Sequence, residues 1–541
     1  MEKQFATIWE SIADSIGDSP AVTQGTVTRT WSEYEQRASR LASALVAAGL
    51  QPQSKVGLYL YNSNEYLEAQ FATFKFRGVP VNVNYRYLDE ELLYLLDNSD
   101  AEALFFHSSL GDRVARVVDR LPKLKLLVEV SDNGEHHVVT AIPYNTLLAD
   151  YDPMPRITRN EDDIYMLYTG GTTGMPKGVM YQMGSLVEGF VNGGLAFIGM
   201  TPPAEISQLG TTVRDAHASG IRPITIPGCP IMHGTGMWIG AMMPQSGGAH
   251  VVTLQKRSFD AHELFQVVQE KKATLAVVVG DSFVKPMIRA LDEATAKGTP
   301  YDASSLKMIA SSGVMWTSEV KEALLDRIEH VVLLDAMGSS EGSMGTSISM
   351  KGLPPKTAKF AVAPTTKVFT DDDREVVPGS GEIGKVAAGG AVPLGYYKDP
   401  EKSNKTFRTI NGVRYSFPGD MATVEADGSL TLLGRGSQVI NSGGEKIFPE
   451  EVEEAVKRVE GVLDCLVVGI DDEKFGQAVT AVASLSPGAK VEEAAIIANV
   501  KTQLAGYKAP KRVIFVTQIP RAPNGKADYK TARDMAIAGL A

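Results

Sequence analysis

The 541-residue chain carries a formal net charge of −11, with 44% hydrophobic and 22% charged residues. A single hydrophobic core stops growing near ~250–300 residues, so at least two domains are expected. The acidic balance argues against nucleic acid or an anionic membrane surface as the main partner, and no apolar run reaches the ~20 residues of a membrane-spanning helix. Cys229 and Cys465 are the two cysteines, far apart and without a metal-ligand pattern, which argues against a disulfide framework or a zinc site and fits a reducing compartment.

Charges interrupt the N-terminal stretch MEKQFATIWESIADSIGD from the start. It reads as an amphipathic helix and not a signal peptide, so a cytoplasmic protein is expected, with at most peripheral membrane contact. Residues 31–50 have apolar positions at helical spacing and stop at Gly49. A strand at 56–61, a helix near 64–76, a strand at 79–84 and further alternation over 88–107 follow. The same rhythm returns after residue 250, with strands in VVTL, TLAVVVG and KMIASSG around helices at 260–271 and 282–295. This is the pattern of an α/β fold with much parallel sheet. Residues 359–435 are rich in Val, Gly, Thr and Pro, with a hairpin signal at ADGS 426–429, and predict a small β-rich subdomain. After Arg435 the chain turns polar and then alternates helix and strand on a smaller scale, so a domain boundary is expected at Arg435–Ser437.

The segment YTGGTTGMPKGV, residues 168–179, holds four glycines, three threonines and a lysine. An apolar stretch, IYMLY, precedes it and a helical stretch is expected after it. Glycines let a backbone approach a polyphosphate, threonine hydroxyls donate to its oxygens, and a lysine adds charge. It is not a Walker loop, because no Ser or Thr follows Lys177. On residue types alone, a phosphate loop and an ordinary glycine-rich turn both remain open.

YTGGTTGMPKGV resembles the phosphate loop of the adenylate-forming superfamily, which includes acyl-CoA synthetases, peptide-synthetase adenylation domains and luciferases. The resemblance places Thr169, Gly170, Gly171, Thr172, Thr173, Gly174 and Lys177 on the ATP phosphates, and adds Ser312 and Gly313 from KMIASSG to the nucleotide site. GSSEG at 338–342 resembles the family's Y-G-x-T-E element. It implies Gly338, Ser339 and Ser340 at the nucleotide and Glu341 as the Mg²⁺ ligand, while Met337 stands where the family usually has an aromatic ring on adenine. SFPGD resembles the T-G-D element and assigns Asp420 to the ribose hydroxyls. GRGSQVINSGGEKIFPEEVE, residues 434–453, resembles the hinge region, with Arg435 on ribose and phosphate and Ser437 at the pivot. There Gly443 and Gly444 face the active site in the CoA step. PNGKADY places the catalytic lysine at Lys526, and PIMHGTGMW places a gating and orienting histidine at His233. Each segment alone fits an ordinary turn; their order along nearly the whole chain, from Trp31 to Tyr529, carries the resemblance.

The implied fold is α/β. A large N-terminal domain, residues 1–435, has stacked parallel-rich sheets with helices and a β-rich subdomain, and a small mobile α+β domain, residues 436–541, sits on a hinge. The implied activity is ATP-dependent acid–CoA ligation through an acyl-adenylate, with ATP, Mg²⁺, CoA and a carboxylic acid as partners and a homodimer as a compatible assembly. Gly234 occupies the position where amino-acid-activating relatives carry an aspartate, and a buried ammonium without a partner is costly. An α-amino acid is therefore a poor candidate. The Gly- and Met-rich stretches at 189–200 and 236–248 fit either room for a long acyl group or close helix packing. The long connection at 201–226, with DAMGSSEG, resembles actinobacterial ligases for fatty acids or steroid side-chain acids. The alternatives are an acyl-AMP ligase serving a carrier protein and a non-catalytic acyl or nucleotide sensor.

Overall fold

The first helix, Phe5–Ile16, buries Phe5, Ile8, Trp9 and Ile12, the i, i+3, i+4, i+7 spacing of an amphipathic segment. The computed structural model describes every residue except 133–137, 172–173, 315, 354, 443–444, 473–474, 523–524 and 541. The next helix, Trp31–Ala47, starts at a capping box: Glu33 N–H donates to Thr30 Oγ1 at 3.2 Å and Thr30 N–H donates to Glu33 Oε2 at 2.8 Å. Two donors that a helix start leaves without intrahelical acceptors are thereby satisfied. These helices and Asn64–Lys75 meet around Lys75, whose ammonium is 2.6 Å from Glu10 and 2.7 Å from Glu35, with Arg159 at 2.8 Å from Glu10. Burying an unpaired ammonium costs several kcal/mol, so carboxylates on two neighbouring helices offset the desolvation.

Behind the helices lie two large sheets. One has five parallel strands in the spatial order Val79–Asn82, Lys55–Tyr59, Ala101–His107, Leu126–Val130 and Ile142–Pro143. The other has eight strands, parallel through its middle (Val332–Ser339, Met308–Ser312, Leu275–Val278, Ile224–Pro227, His250–Thr253, Pro20–Gln24) and antiparallel at both edges. Leu275–Val278 is buried throughout, as expected of a parallel strand covered on both faces. Apolar cores fill each layer, one running from Phe5 to Phe407 and a second from Ile226 to Leu333.

Residues 359–435 form an antiparallel β subdomain, with ADGS in the turn between Asp420–Val424 and Leu430–Arg435. The C-terminal region has a five-stranded sheet packed by helices Pro449–Lys457, Glu493–Gln503 and Tyr529–Leu540. One expectation is corrected. The helical stretch does not follow the phosphate loop directly: strand Gly174–Gln182 comes first, pairing back on Ile164–Gly171, and the helix starts at Met183. The 201–226 connection carries its own helix, Leu209–Ala218, laid against the first helix so closely that a Cβ on Gly210 would come within 2.7 Å of Ser11 Oγ. Among the described residues no helix is long and apolar enough to cross a membrane.

Candidate active site

In a parallel sheet, ligands bind beyond the carboxyl ends of the strands. Here Leu275–Val278, Met308–Ser312 and Val332–Ser339 end side by side, and Ser312, Gly313 and the 338–341 turn stand at their tips. Gly313 has φ +90°, a conformation that L side chains rarely adopt. It leaves space that another chain segment occupies, because a Cβ there would lie 3.7 Å from Lys526 Cε and 3.7 Å from Thr235 Oγ1. Lys526 thus reaches the strand tips from the C-terminal region.

Arg521 and Gly525, which precede it, are held in place. Arg521 forms a two-pronged pair with Asp464 at 2.7 and 2.8 Å and donates to the Gly525 carbonyl at 3.1 Å. Gly525, at φ +76°, presses on helix Gly280–Ala296, where a Cβ would come within 2.7 Å of Ser282 Oγ. Lys285 on that helix donates to the Leu463 carbonyl at 2.6 Å, and Arg458 pairs with Glu319 at 3.0 Å. These contacts fix the C-terminal region over the strand tips. Crowding first, and Arg435 second, lower the Lys526 pKa, while Glu341 and Asp420 oppose the shift. Lys526 keeps solvent access, which moderates that depression.

Asp420 and Arg435 are direct cross-strand partners, which brings Arg435 Nε to 3.2 Å from Asp420 Oδ1. Asp420 Oδ2 is buried without a protein hydrogen-bond partner. A buried carboxylate oxygen left in that state is costly, and it suits a ligand hydroxyl donor. Burial raises the Asp420 pKa and Arg435 offsets part of the rise. On the neighbouring turn, Glu341 N–H donates to Ser339 Oγ at 3.1 Å, and Tyr181 Oη donates to the Ser340 carbonyl at 3.0 Å. Glu341 Oε1 accepts from Tyr396 Oη at 2.8 Å. Met337 is buried in an apolar cluster with Met344 and Phe360.

The phosphate-loop hairpin pairs Thr169 with Lys177 and Gly171 with Gly174; Gly170 lies in the first of its strands, and Thr172 and Thr173 fall outside the described residues. Lys177 Nζ is 2.6 Å from Asp399 Oδ2. His233 precedes a π-helix, Thr235–Met242, in which Met243 N–H reaches back five residues to the Trp238 carbonyl. Such wide turns recur at functional sites. His233 Nε2 is buried with no protein partner, and desolvation, reinforced by Lys526 and Arg86, lowers its pKa to about 3. The imidazole is neutral at physiological pH. A Cβ on Gly234 would meet Leu167 at 3.4 Å and Trp238 at 3.9 Å, so the surroundings of that position are apolar. Gly194, Gly236 and Gly240 serve close packing, since a Cβ on each would come within 2.8 Å of neighbouring atoms, whereas Gly189 and Gly193 face outward. Ser437 is exposed on the short turn Gly436–Gln438, and Gly443 and Gly444 lie outside the described residues.

Sequence reasoning missed Tyr396, Asp399 and Lys402, all within GYYKDPEK, and Thr235 beside His233. The clustering of an aromatic, an acid and lysines in 395–402 was the available signal. It also missed a basic cavity of about 700 Å³ lined by Tyr61, Tyr85, Arg86, Arg113, Lys256 and Arg257. Tyr61 and Tyr85 are 4.6 Å apart by ring centroid, and the Arg257 guanidinium lies 4.5 Å from the Tyr61 ring.

Residues 9–397 match the profile of AMP-binding enzymes, and residues 451–526 match that of the AMP-binding enzyme C-terminal domain. A 3-oxocholest-4-en-26-oate–CoA ligase of Rhodococcus rhodochrous is 40% identical, over 99% of this chain and 96% of that protein. A medium/long-chain-fatty-acid–CoA/3-oxocholest-4-en-26-oate–CoA ligase of Mycolicibacterium smegmatis is 39% identical, over 99% and 97%. The fold is that of the anthranilate CoA ligase AuaEII solved with anthranoyl-AMP, at a TM-score of 0.85 and 21% identity over 100% of this chain and 99% of the other. ATP-bound MatB from Rhodopseudomonas palustris is alike at 0.82 and 23%, over 99% of both chains. The chain therefore belongs to the AMP-binding enzyme family.

Proposed function

We propose that this protein is an ATP-dependent acid–CoA ligase that makes an acyl-adenylate and then an acyl-CoA, releasing pyrophosphate and AMP. The observation that carries the reading is Lys526, delivered by the C-terminal region to the strand tips where Glu341, Asp420 and Arg435 gather. In the first step a carboxylate oxygen attacks the α-phosphorus of ATP. The bond from that phosphorus to its bridging oxygen breaks, and the electron pair leaves with pyrophosphate. Such a transfer needs positioning and charge neutralisation more than covalent help from the protein. Lys526 supplies a donor to the α-phosphate, Asp420 takes the ribose hydroxyls on its unpartnered oxygen, and Arg435 sits between ribose and phosphate.

Glu341 fits Mg²⁺: a half-exposed carboxylate beside the phosphate hairpin matches an ion that binds one or two carboxylates and takes its other ligands from phosphates and water. The ion would neutralise charge on the phosphates. His233, neutral, orients the acid without adding charge. In the second step a thiol attacks the acyl carbon and AMP departs. For this the region from 436 onward swings about Ser437, withdrawing Lys526 and bringing Gly443 and Gly444 to the site. The basic cavity lined by Arg86, Arg113, Lys256 and Arg257 suits the phosphorylated end of CoA, and the reaction belongs in the cytoplasm.

For the acid, the apolar surroundings of Gly234 disfavour an ammonium. The relatives are named for medium- or long-chain fatty acids and for 3-oxocholest-4-en-26-oate. We therefore assign a long-chain fatty acid or a steroid side-chain acid. The test is pyrophosphate release with acids from acetate through palmitate to steroid side-chain acids, with and without CoA. A single burst without CoA, multiple turnovers with it, and a preference for the large apolar acids are expected. Release that no acid stimulates would support a non-catalytic sensor, and acyl-AMP that CoA cannot discharge would support delivery to a carrier protein.

A further inference from the structure

Two lysines lie near the ring of Tyr396. Lys177 Nζ is 5.7 Å from the ring centroid and Lys402 Nζ is 5.6 Å from it. The same ring's hydroxyl donates to Glu341 at 2.8 Å. One carboxylate ties the pair together: Asp399 Oδ2 takes the Lys177 ammonium at 2.6 Å, while Asp399 Oδ1 accepts the Lys402 backbone N–H at 3.0 Å. The Lys402 backbone is therefore tied to the lysine of the phosphate hairpin, although the two are 225 positions apart.

Lys177 and Lys402 repel each other closely enough to lower the Lys402 pKa, after burial as the larger cause, while Glu341 and Asp399 pull it up. Two ammoniums facing each other are unfavourable until an anion of matching size lies between them. Lysine ammoniums serve as point-charge binders of phosphate. Lys402 is also exposed, so it can be reached from solvent.

We propose that Lys402 is a second phosphate-binding lysine that joins Lys177 on the terminal phosphates of ATP and on the departing pyrophosphate. Tyr396 sets its place, linking both lysines to Glu341. Lys402 acts on the leaving group and not on the acyl carbon. This rests on the ligase reading above, and the experiment separates the two.

The test uses the full chain and measures acid-dependent exchange of labelled pyrophosphate into ATP, with KM values for ATP and pyrophosphate. It also follows conversion of supplied acyl-AMP and CoA to thioester. Lys402→Gln is expected to raise both KM values about tenfold, the effect of losing one charge-assisted phosphate contact, and to leave the thioester step unchanged. Lys402→Arg should recover most of the loss. Lys405→Gln, one turn away and paired with Glu401 at 2.7 Å on the surface, should change neither constant. KM values for Lys402→Gln within twofold of the parent would overturn the assignment while leaving the ligase reading intact. An equal loss in the thioester step would make Lys402 a structural residue and overturn it too. Absence of acid-dependent exchange in the unaltered protein would overturn both readings.

Discussion

Lys526→Ala is expected to lower acyl-adenylate formation by roughly 10²–10³-fold, the effect of removing one well-placed donor from a transition state. The thioester step from supplied acyl-AMP and CoA should stay within a few-fold of the parent. This asymmetry follows from where Lys526 sits. Its side chain lies beside Gly313, while Gly525 packs on Ser282 and Lys285 holds the Leu463 carbonyl. If the C-terminal region turns about Ser437 for the second step, those contacts are given up and Lys526 leaves the site. Rapid-quench measurement of each half-reaction separates the two effects. Equal losses in both steps would show that Lys526 stays in the site throughout, and the swinging arrangement would be wrong.

Asp420→Ala should behave differently. Asp420 lies on a strand of the β subdomain, not in the region proposed to swing. Its unpartnered oxygen is assigned to ribose, which ATP and acyl-AMP share. A hydrogen bond to a charged group contributes about 1.5–3 kcal/mol. Losing two of them predicts a fall of about a hundredfold or more in kcat/KM for ATP and a comparable fall in the use of supplied acyl-AMP. Isothermal titration with AMP reports the same loss without catalysis. Unchanged AMP binding would remove Asp420 from the ribose assignment. Arg435 adds a further cost in this variant, because its 3.2 Å partner is gone.

Much of this site was legible in the order of short segments. Helical spacing announced the first helices, and apolar runs such as TLAVVVG announced the central parallel strands. What failed to show were relations set by pairing across long stretches of chain. The segment 168–179 reads as a loop followed by a helical stretch, yet Gly174–Gln182 is a strand, seven of whose nine residues pair with 164–171. A strand of this kind, with two glycines and a proline, has no clean period-2 signal. Tyr396, Asp399 and Lys402 escaped for a related reason. Their chemistry comes from meeting Glu341 and Lys177, and nothing in the local pattern of 395–402 names those partners. Asp420 and Arg435 were found as separate segments; only the β register shows that they are one unit. The small residues of 189–200 and 236–248 left two readings open. The structure favours close packing at Gly194, Gly236 and Gly240.

The ligation chemistry itself has one direct test, the fate of the acid's oxygen. An acid with both carboxylate oxygens replaced by ¹⁸O is turned over with ATP, Mg²⁺ and CoA, and the products are weighed by mass spectrometry. Attack at the α-phosphorus followed by thiol attack on carbon leaves one ¹⁸O in AMP, one in the thioester and none in pyrophosphate. Label in orthophosphate with ADP as the nucleotide product would instead mean attack at the γ-phosphorus, and would contradict the adenylate route assigned to Lys526, Asp420 and Glu341.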